Sequence, residues 1–254
     1  METGENDFDE AAFVETLTSA TVAVGVPLTP EQTAQCVTYA RLLLETNAHT
    51  NLTRITESRE MAVKHFADSL TVLAAFPPGM GASVCDVGTG AGFPGVVLKI
   101  ARPDLQLTLL DSLKKRLTFL DSVCAALHLQ DVATVHANAV DAGRDPALRD
   151  RFDVVTARAV AALPVLLEWC APLVKSGKRF VAQKSGNVDD ELAASVDAAY
   201  ALNVRLVDDR ALTLPAIPGS DEPPATRRVL LYEKVAATPK GFPRLAAEIK
   251  RKPL

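Results

Sequence analysis

The residues best suited to do chemistry form a glycine-rich segment, Asp86-Val87-Gly88-Thr89-Gly90-Ala91-Gly92-Phe93-Pro94-Gly95. The segment follows a short β-rich run and precedes an apolar helical one, so a strand ends, the chain turns and a helix begins. Glycine in such a turn lets the backbone approach a ligand, and the helix start offers free N–H groups. Asp111 ends the next predicted strand about 20 residues downstream, where a carboxylate can accept hydrogen bonds from ribose hydroxyls. Together these features predict a site for an adenosine-containing ligand.

Two cofactor classes fit this turn. Residues 90–95 satisfy G-x-G-x-x-G, the pattern of dinucleotide-binding folds. Asp86, however, stands two residues before the first glycine and gives D-x-G-x-G-x-G, which is typical of enzymes that use S-adenosylmethionine. A carboxylate there suits the cationic amino-acid end of that cofactor, directly or through backbone and water, and suits a dianionic pyrophosphate poorly. We therefore predict S-adenosylmethionine as cofactor, with S-adenosylhomocysteine as product, and keep an NAD-dependent oxidoreductase of the Rossmann type as an alternative.

Residues 157–159, which follow the fourth predicted strand, limit which atoms can serve as the methyl acceptor. They lack the Asn/Asp-Pro-Pro-aromatic motif that exocyclic-amine methyltransferases use, and Cys170 lies in an apolar helical stretch that does not suit a nucleophile. Arg158 remains, and its guanidinium can stack on a base, grip a phosphate or form a surface ion pair. An acceptor that needs no proton removed, such as N7 of guanine, fits best. Its methylation requires in-line positioning more than a general base.

The pattern along the chain predicts an α/β protein. Residues 1–78 are expected to form an N-terminal helical extension, residues 79–240 the S-adenosylmethionine-binding domain and residues 241–254 a basic tail. Strand–helix alternation predicts a parallel sheet with helices on both faces. Together with the cofactor motif and a predicted terminal hairpin, it leads us to expect a Rossmann-like class I methyltransferase fold, with a seven-stranded, mostly parallel sheet and an antiparallel last strand. Strands are predicted at 83–87, 106–110, 132–135, 152–156, 179–183, 204–206 and 229–233. Helices are predicted at 8–24, 31–46, 58–75, 112–129 and 163–174, with Ser58 as an N-cap.

The charge is unevenly distributed along the 254 residues, although the net charge is only −4. Residues 1–40 contain seven acidic and no basic residues, whereas residues 226–254 contain eight basic and two acidic ones. A basic end favours a polyanionic partner but is also found on solvated tails. This distribution leaves a third hypothesis open, a non-catalytic RNA-binding protein with a methyltransferase-like fold.

The composition also bears on membrane association, location in the cell and metal binding. No apolar run approaches the roughly 20 residues that span a bilayer, so we expect no membrane partner. The first ten residues contain five acids and no base, unlike a targeting peptide, so we expect a cytoplasmic protein. The four cysteines are scattered among apolar residues and suggest buried thiols rather than a metal site, so we expect no metal. We also expect a monomer.

An ordered set of motifs resembles the ribosomal small subunit methyltransferase G family, also called glucose-inhibited division protein B. The resemblance runs from about residue 51 to the C-terminus. It is carried by the glycine-rich segment and by Asn51-Leu52-Thr53, His65, Asp68-Ser69-Leu70, Arg102-Pro103, Leu109-Leu110-Asp111-Ser112, Lys115-Arg116, Thr156-Ala157-Arg158-Ala159 and Lys184-Ser185-Gly186. Residues 245–249 replace the family's glycine between its Pro-Arg and Lys-Pro-Leu elements, so the resemblance does not predict the path of the tail.

The resemblance implies methyl transfer to N7 of a guanosine in 16S ribosomal RNA near the decoding region, with that RNA or the small ribosomal subunit as partner. The turn and Asp111 predict cofactor contacts, and the resemblance extends the set. The expected cofactor-binding residues are Asp86, Gly88, Gly90, Gly92, Phe93, Asp111, Ser112, Ala139, Val140 and Arg158.

Arg158 and His65 are the expected catalytic residues, although His65 fits a hydrogen-bonded structural histidine equally well. Basic residues that flank the motifs are the candidates for RNA contacts. They are Arg54, Lys64, Lys115, Arg116, Lys184 and Arg244.

Overall fold

The computed structural model describes residues 8–254, so residues 1–7 of the acidic N-terminal segment lie outside the described part. The strands are β1 Ser83–Val87, β2 Gln106–Asp111, β3 Val132–His136, β4 Phe152–Arg158, β5 Val174–Ser185, β6 Val204–Thr213 and β7 Thr226–Lys234. The helices are α1 Glu10–Ala23, α2 Pro30–Thr50, α3 Ser58–Met61, α4 Asp68–Ala75, α5 Gly95–Ala101, α6 Lys114–Ala126, α7 Ala139–Arg144, α8 Leu163–Cys170, α9 Asp189–Ala194, α10 Val196–Ala201 and α11 Ala246–Arg251.

The seven strands form one sheet in the order β3-β2-β1-β4-β5-β7-β6. Strands β1 to β5 run parallel, while β7 is antiparallel to both β5 and β6. The predicted fold class is therefore confirmed, including the antiparallel hairpin that completes the sheet. Because the strand order reverses between β1 and β4, a crevice opens at the carboxyl ends of these strands.

Two apolar clusters cover the sheet. The first joins the N-terminal helices to α5 and α6 and includes Phe13, Tyr39 and Phe66 together with strand residues such as Leu107. The second lies under α7, α8 and α10 and is centred on residues such as Leu166. The N-terminal helices thus share a core with the sheet, and burial of their apolar face stabilises them there.

The chain from Ser58 to Ala75 was predicted as one helix with Ser58 as its N-cap, and the structure differs in two ways. Glu57 is the N-cap, because its carboxylate accepts hydrogen bonds from the N–H groups of Arg59 and Glu60 at 3.0 and 2.6 Å. Ser58 instead accepts a bond from the Asp9 N–H at 3.0 Å. Between α3 and α4 the residues Ala62–Ala67 form a π-helical segment, a rare widening of the helix that is frequent at functional sites.

Within residues 8–254, no helix combines the length and apolarity that a bilayer crossing requires. The same residues contain no group of three or more His, Cys, Asp or Glu side chains suited to hold a metal ion. All four cysteines are buried free thiols.

Candidate active site

A cavity of about 520 Å³ opens at the carboxyl ends of β1, β2 and β4. The glycine-rich turn forms its floor, and the loops after β2, β3 and β4 form its walls. Its lining residues are Leu52, Thr53, His65, Val87, Gly88, Thr89, Gly90, Ala91, Phe93, Leu110, Asp111, Ser112, Arg116, Ala137, Asn138, Ala139, Val140, Arg158, Ala159, Val160, Trp169 and Ala246.

The turn needs glycine at Gly88 and Gly90, which have φ of +69° and +61°. A Cβ on Gly88 would lie 3.0 Å from both methyl carbons of Val160 on the opposite wall. The N–H of Gly88 donates to the Leu110 carbonyl at 2.8 Å, and that of Gly90 donates to the Asp111 carboxylate at 3.0 Å. The turn is thus tied to the end of β2, so the two predicted halves of the cofactor site form one unit.

Asp86 lies beneath the turn and not on the cavity wall, where direct contact with the cofactor's amino-acid end would place it. One carboxylate oxygen accepts bonds from the Thr89 hydroxyl at 2.6 Å and from the Gly95 N–H at 2.9 Å. The other oxygen is buried without a partner among the described residues. Burial raises the pKa of Asp86 to about 6, against the lowering effect of these two hydrogen bonds. Asp86 thereby fixes the shape of the turn.

Gly92, another expected cofactor-binding residue, does not line the cavity and lies on the side of the turn that faces α2 and α6. Its φ is +99°, and a Cβ there would clash with the Tyr39 hydroxyl and lie 2.7 Å from Leu120. Gly92 is thus required for packing of the turn against α2 and α6. The same Tyr39 hydroxyl donates a hydrogen bond to the carbonyl of Ala91.

Asp111 is the carboxylate that faces the cavity, as predicted. It is 2 % exposed and accepts hydrogen bonds from the N–H groups of Gly90 and Leu113 at 3.0 and 2.9 Å. Arg116 pairs with it at 3.2 Å. Ser112, Ala139 and Val140 also line the cavity, in the positions expected from the sequence.

An aromatic stack closes the inner end of the cavity. The ring of Phe93 lies parallel to His65 at 4.5 Å and to Tyr39 at 5.1 Å, and meets Phe66 edge-on at 5.4 Å. The guanidinium carbon of Arg158 lies 5.3 Å from the centre of the same ring, within cation–π range. Phe93 thus brings the two predicted catalytic residues together.

His65 is a neutral group in this setting. Its Nε2 lies 2.7 Å from the Thr53 hydroxyl, and its Nδ1 is buried without a partner among the described residues. Burial, and after it the positive charge of Arg158, lowers the pKa of His65 to about 3. The imidazole therefore shapes the site and is a weak proton acceptor near neutral pH.

Arg158 is held by a buried carboxylate for which the sequence analysis assigned no role. Its guanidinium donates to Asp68 and to the Lys64 carbonyl, both at 3.2 Å. Asp68 also accepts bonds from Arg227 at 3.0 Å and from the Gln183 amide at 2.9 Å. One carboxylate thus compensates two guanidinium groups and joins the π-helical segment to the ends of β4, β5 and β7.

The predicted RNA-contact residues divide into two groups. Arg54 and Lys115 are exposed near the cavity mouth, and Lys115 donates to the Thr50 carbonyl at 3.2 Å. Arg116 lines the cavity and is paired with Asp111.

The other three form ion pairs within the protein. Lys64 pairs with Glu60 and Glu222 at 2.6 and 2.7 Å, and these carboxylates raise its pKa. Lys184 pairs with Glu191 at 2.7 Å and is only 11 % exposed. Arg244 pairs with the buried Glu168 at 2.7 Å.

Several site residues were not singled out as such from the sequence. Asn138 caps α7 by accepting the Asp141 N–H at 2.9 Å, and Trp169 and Val160 form the wall opposite the turn. Asn138 could have been identified from the sequence, because asparagine directly before a helix is typical of an N-cap. Trp169 has none, because only the packing of α8 brings it to the cavity.

The His65 pKa predicts a pH dependence of stability. The folded protein favours the neutral imidazole. The contribution of His65 to the free energy of unfolding is therefore complete above the ordinary pKa of 6.5 and is lost as the pH falls toward 3. Between pH 7 and pH 5 this group should cost the wild type about 2 kcal/mol of unfolding free energy. In urea denaturation, the unfolding free energy of His65→Gln should fall by about 2 kcal/mol less than that of the wild type between pH 7 and pH 5. The control is His49→Gln, which replaces an exposed histidine. Equal pH slopes in all three proteins would contradict the assignment.

The shared carboxylate predicts a large effect of Asp68→Asn. Removing the charge leaves Arg158 and Arg227 uncompensated, and breaking a buried pair costs about 3 kcal/mol. The control is Asp208→Asn, whose partner Arg210 is 52 % exposed, and which should cost less than about 1 kcal/mol. Denaturation midpoints compare the two, and similar losses would show that Asp68 is no more than a surface ion pair.

Comparison with known proteins places the chain in a family. The model of the family described as rRNA small subunit methyltransferase G matches residues 32–211. A ribosomal RNA small subunit methyltransferase G of Lactobacillus delbrueckii is 45% identical over 244 residues, covering 95% of this chain and 98% of that protein. The enzyme of the same name from Lactobacillus helveticus is 47% identical over 229 residues, covering 89% and 93%.

The fold is also found among solved structures. A precorrin-6y C5,15-methyltransferase from Geobacter metallireducens superimposes with a TM-score of 0.50 at 15% identity, covering 73% of this chain and 91% of that chain. At this identity the likeness supports the fold alone. Because the family model spans most of the chain and the curated relatives align over nearly all of it, the chain belongs to the rRNA small subunit methyltransferase G family.

Proposed function

We propose that this protein transfers a methyl group from S-adenosylmethionine to N7 of a guanosine in 16S ribosomal RNA. The observation that carries the proposal is a cavity at the switch point of the sheet that joins the glycine turn, Asp111 and Arg158, and in which the lining described for residues 8–254 offers no effective general base. His65 is a weak base, and the Asp111 carboxylate already accepts two backbone N–H groups and is assigned to the ribose hydroxyls of the cofactor, so neither is available to take a proton from the acceptor. N7 has a free lone pair, so the reaction requires no proton removal. Family membership and the names of the relatives support methylation of small-subunit ribosomal RNA.

The cavity fits S-adenosylmethionine in size and in the arrangement of its polar groups. Its volume of about 520 Å³ lies within the usual range for small-molecule sites, roughly 300–1,000 Å³. Gly88 and Gly90 would let the amino-acid end lie against the backbone, and Asp111 would accept bonds from the ribose hydroxyls. The neighbouring Ser112, Ala139 and Val140 would flank the adenine. When bound, the cofactor supplies a methyl group activated by its sulfonium charge.

The protein's own contribution is positional. Arg158 is fixed by Asp68 and by the Lys64 carbonyl, so its guanidinium keeps one orientation beside Phe93. From there it can stack on the target base or hold its phosphate. The aromatic stack of His65, Phe93 and Tyr39 excludes water from the inner wall. Because holding two reactants in line removes much of the entropic barrier, rigid placement suffices for this displacement.

The alternatives are less well supported. A dinucleotide-dependent oxidoreductase would share the turn and Asp111, but the family and its curated relatives are methyltransferases. A non-catalytic RNA-binding protein would not need the buried support of Arg158. We infer that the enzyme acts as a monomer on 16S ribosomal RNA or on the small ribosomal subunit, and that it needs no metal.

The direct test is a methyl-transfer assay with radiolabelled S-adenosylmethionine. Naked 16S RNA and isolated small subunits lacking the modification should be compared, and the product should be N7-methylguanosine. Arg158→Lys should keep the charge but lose the planar fork, and we expect at least about a tenfold lower kcat/KM, which corresponds to 1.4 kcal/mol. Label found only in protein or in another base would refute the proposal.

The cofactor site is tested separately by Gly88→Asp. An added side chain at φ +69° would meet Val160 at 3.0 Å and put a negative charge where the backbone must approach the ligand. We expect S-adenosylmethionine binding in calorimetry to weaken by about tenfold or more, which a cost of 1.4 kcal/mol already produces. The matched control is Gly25→Asp, also at positive φ, +81°, but in open space, which should bind normally. Unchanged affinity in Gly88→Asp would mean that the ligand lies elsewhere.

A further inference from the structure

The C-terminal segment 241–254, whose path the sequence did not predict, is docked on α7 and α8. The guanidinium of Arg144 donates to the Pro243 carbonyl at 3.0 and 2.8 Å. Arg149 donates to the Phe242 carbonyl at 2.8 Å, so two arginines of the core hold the backbone of the segment. The tail is therefore a fixed part of the fold.

Arg244 provides the strongest anchor. Its guanidinium donates to both carboxylate oxygens of Glu168 at 2.9 and 2.7 Å, and its backbone N–H donates to the same group at 2.8 Å. Glu168 is fully buried on α8, so its charge must be compensated. This carboxylate raises the pKa of Arg244 and commits that arginine to the interior. Arg244 thus holds the helix that follows it in the chain.

That helix, α11, stands at the edge of the active-site cavity. Ile249 is 1 % exposed and packs into the core, and Ala246 lines the cavity itself. Lys250, Arg251 and Lys252 are exposed, and none of them forms an ion pair within residues 8–254. Three uncompensated cations are therefore presented from a fixed position beside the site.

A second group of cations lies on the other side of the sheet. Arg54, Lys114 and Lys115 are exposed and likewise form no ion pair within the described residues. They neighbour Thr53 and Arg116, which line the cavity. This group belongs to the layer of α2 and α6, whereas α11 rests on the layer of α7 and α8. The cavity thus lies between two groups of exposed cations, the α11 group (Lys250, Arg251 and Lys252) and the Arg54 group (Arg54, Lys114 and Lys115), in a protein whose net charge is −4.

We propose that Lys250 and Arg251 of α11, together with Lys252 directly after it, bind the phosphate backbone of the RNA that carries the target guanosine. The inference rests on the proposed function, since it places the substrate strand across the cavity, from the Arg54 group to the α11 group. Phosphates are held by such exposed Lys and Arg side chains through counterion release, which needs no sequence readout. The Arg244–Glu168 ion pair fixes the α11 group relative to the cofactor cavity, so that binding of the RNA backbone also positions the target base.

The test is the salt dependence of RNA binding by the full chain. The variant K250Q/R251Q/K252Q is compared with R151Q/K178Q/R205Q, which also removes three exposed charges but at the opposite, amino-terminal edge of the strands. Filter binding to 16S RNA at several salt concentrations gives the slope of log K against log salt. Each lost phosphate contact lowers that slope by about 0.7–0.9, so we expect a drop of about 2 for the α11 variant and none for the control.

Methyl transfer supplies a second readout. The α11 variant should raise KM for RNA by about tenfold, equivalent to 1.4 kcal/mol, with kcat and S-adenosylmethionine affinity unchanged. An unchanged salt slope, or equal drops in both variants, would overturn the proposal even if the enzyme methylates N7. A drop confined to the α11 variant would support it even if the modified atom proved to be another. Loss of binding to phosphatidylglycerol vesicles with RNA binding intact would assign α11 to a membrane surface and also overturn it.

Discussion

The buried carboxylate of Asp68 is the constraint on which the site depends. It lies where the π-helical segment meets α4 and receives bonds from Arg158, Arg227 and Gln183, at the ends of β4, β7 and β5. A charge in such a position must be compensated, so separating these elements would leave a buried charge unpaired. The N-terminal helices are thereby fixed to the catalytic edge of the sheet, and they bring His65 and the Lys64 carbonyl with them. The extension is part of the active site and more than a cover for the sheet.

The glycine turn is supported in the same manner by two carboxylates that have different tasks. Asp86 bonds the turn from beneath, through Thr89 and Gly95, whereas Asp111 bonds it from the side through Gly90 and faces the cavity. Preorganised backbone groups of this kind cost nothing to arrange when a ligand binds. With Arg158 equally fixed, the site is built to hold two reactants in line. That is the requirement of a displacement in which the acceptor already carries a free lone pair.

The sequence predicted the fold because each of its signals is local. Strand and helix periods, the proline-rich breaks and the terminal hairpin all depend on neighbours a few residues apart, and the sheet has the predicted form. The sequence does not show which side of the turn each residue of the motif faces, because burial decides that. Gly92 and Asp86 belong to the same motif as Gly88, yet they face α2 and the underside of the turn. A motif specifies residue types and spacing, but not which side of the backbone meets the ligand.

The sequence by itself therefore determined the class of fold, the turn with Asp111 that suits an adenosine-containing ligand, and the family to which the chain belongs. Only the tertiary structure decided which charges are free. Lys64 and Arg244 are paired with Glu222 and Glu168, which are far away in sequence, and Lys184 is paired with Glu191 on the helix that follows its strand, whereas the last lysines remain exposed beside the cavity. The physical reason is that compensation of a charge depends on long-range contacts, and a linear pattern contains no record of those contacts.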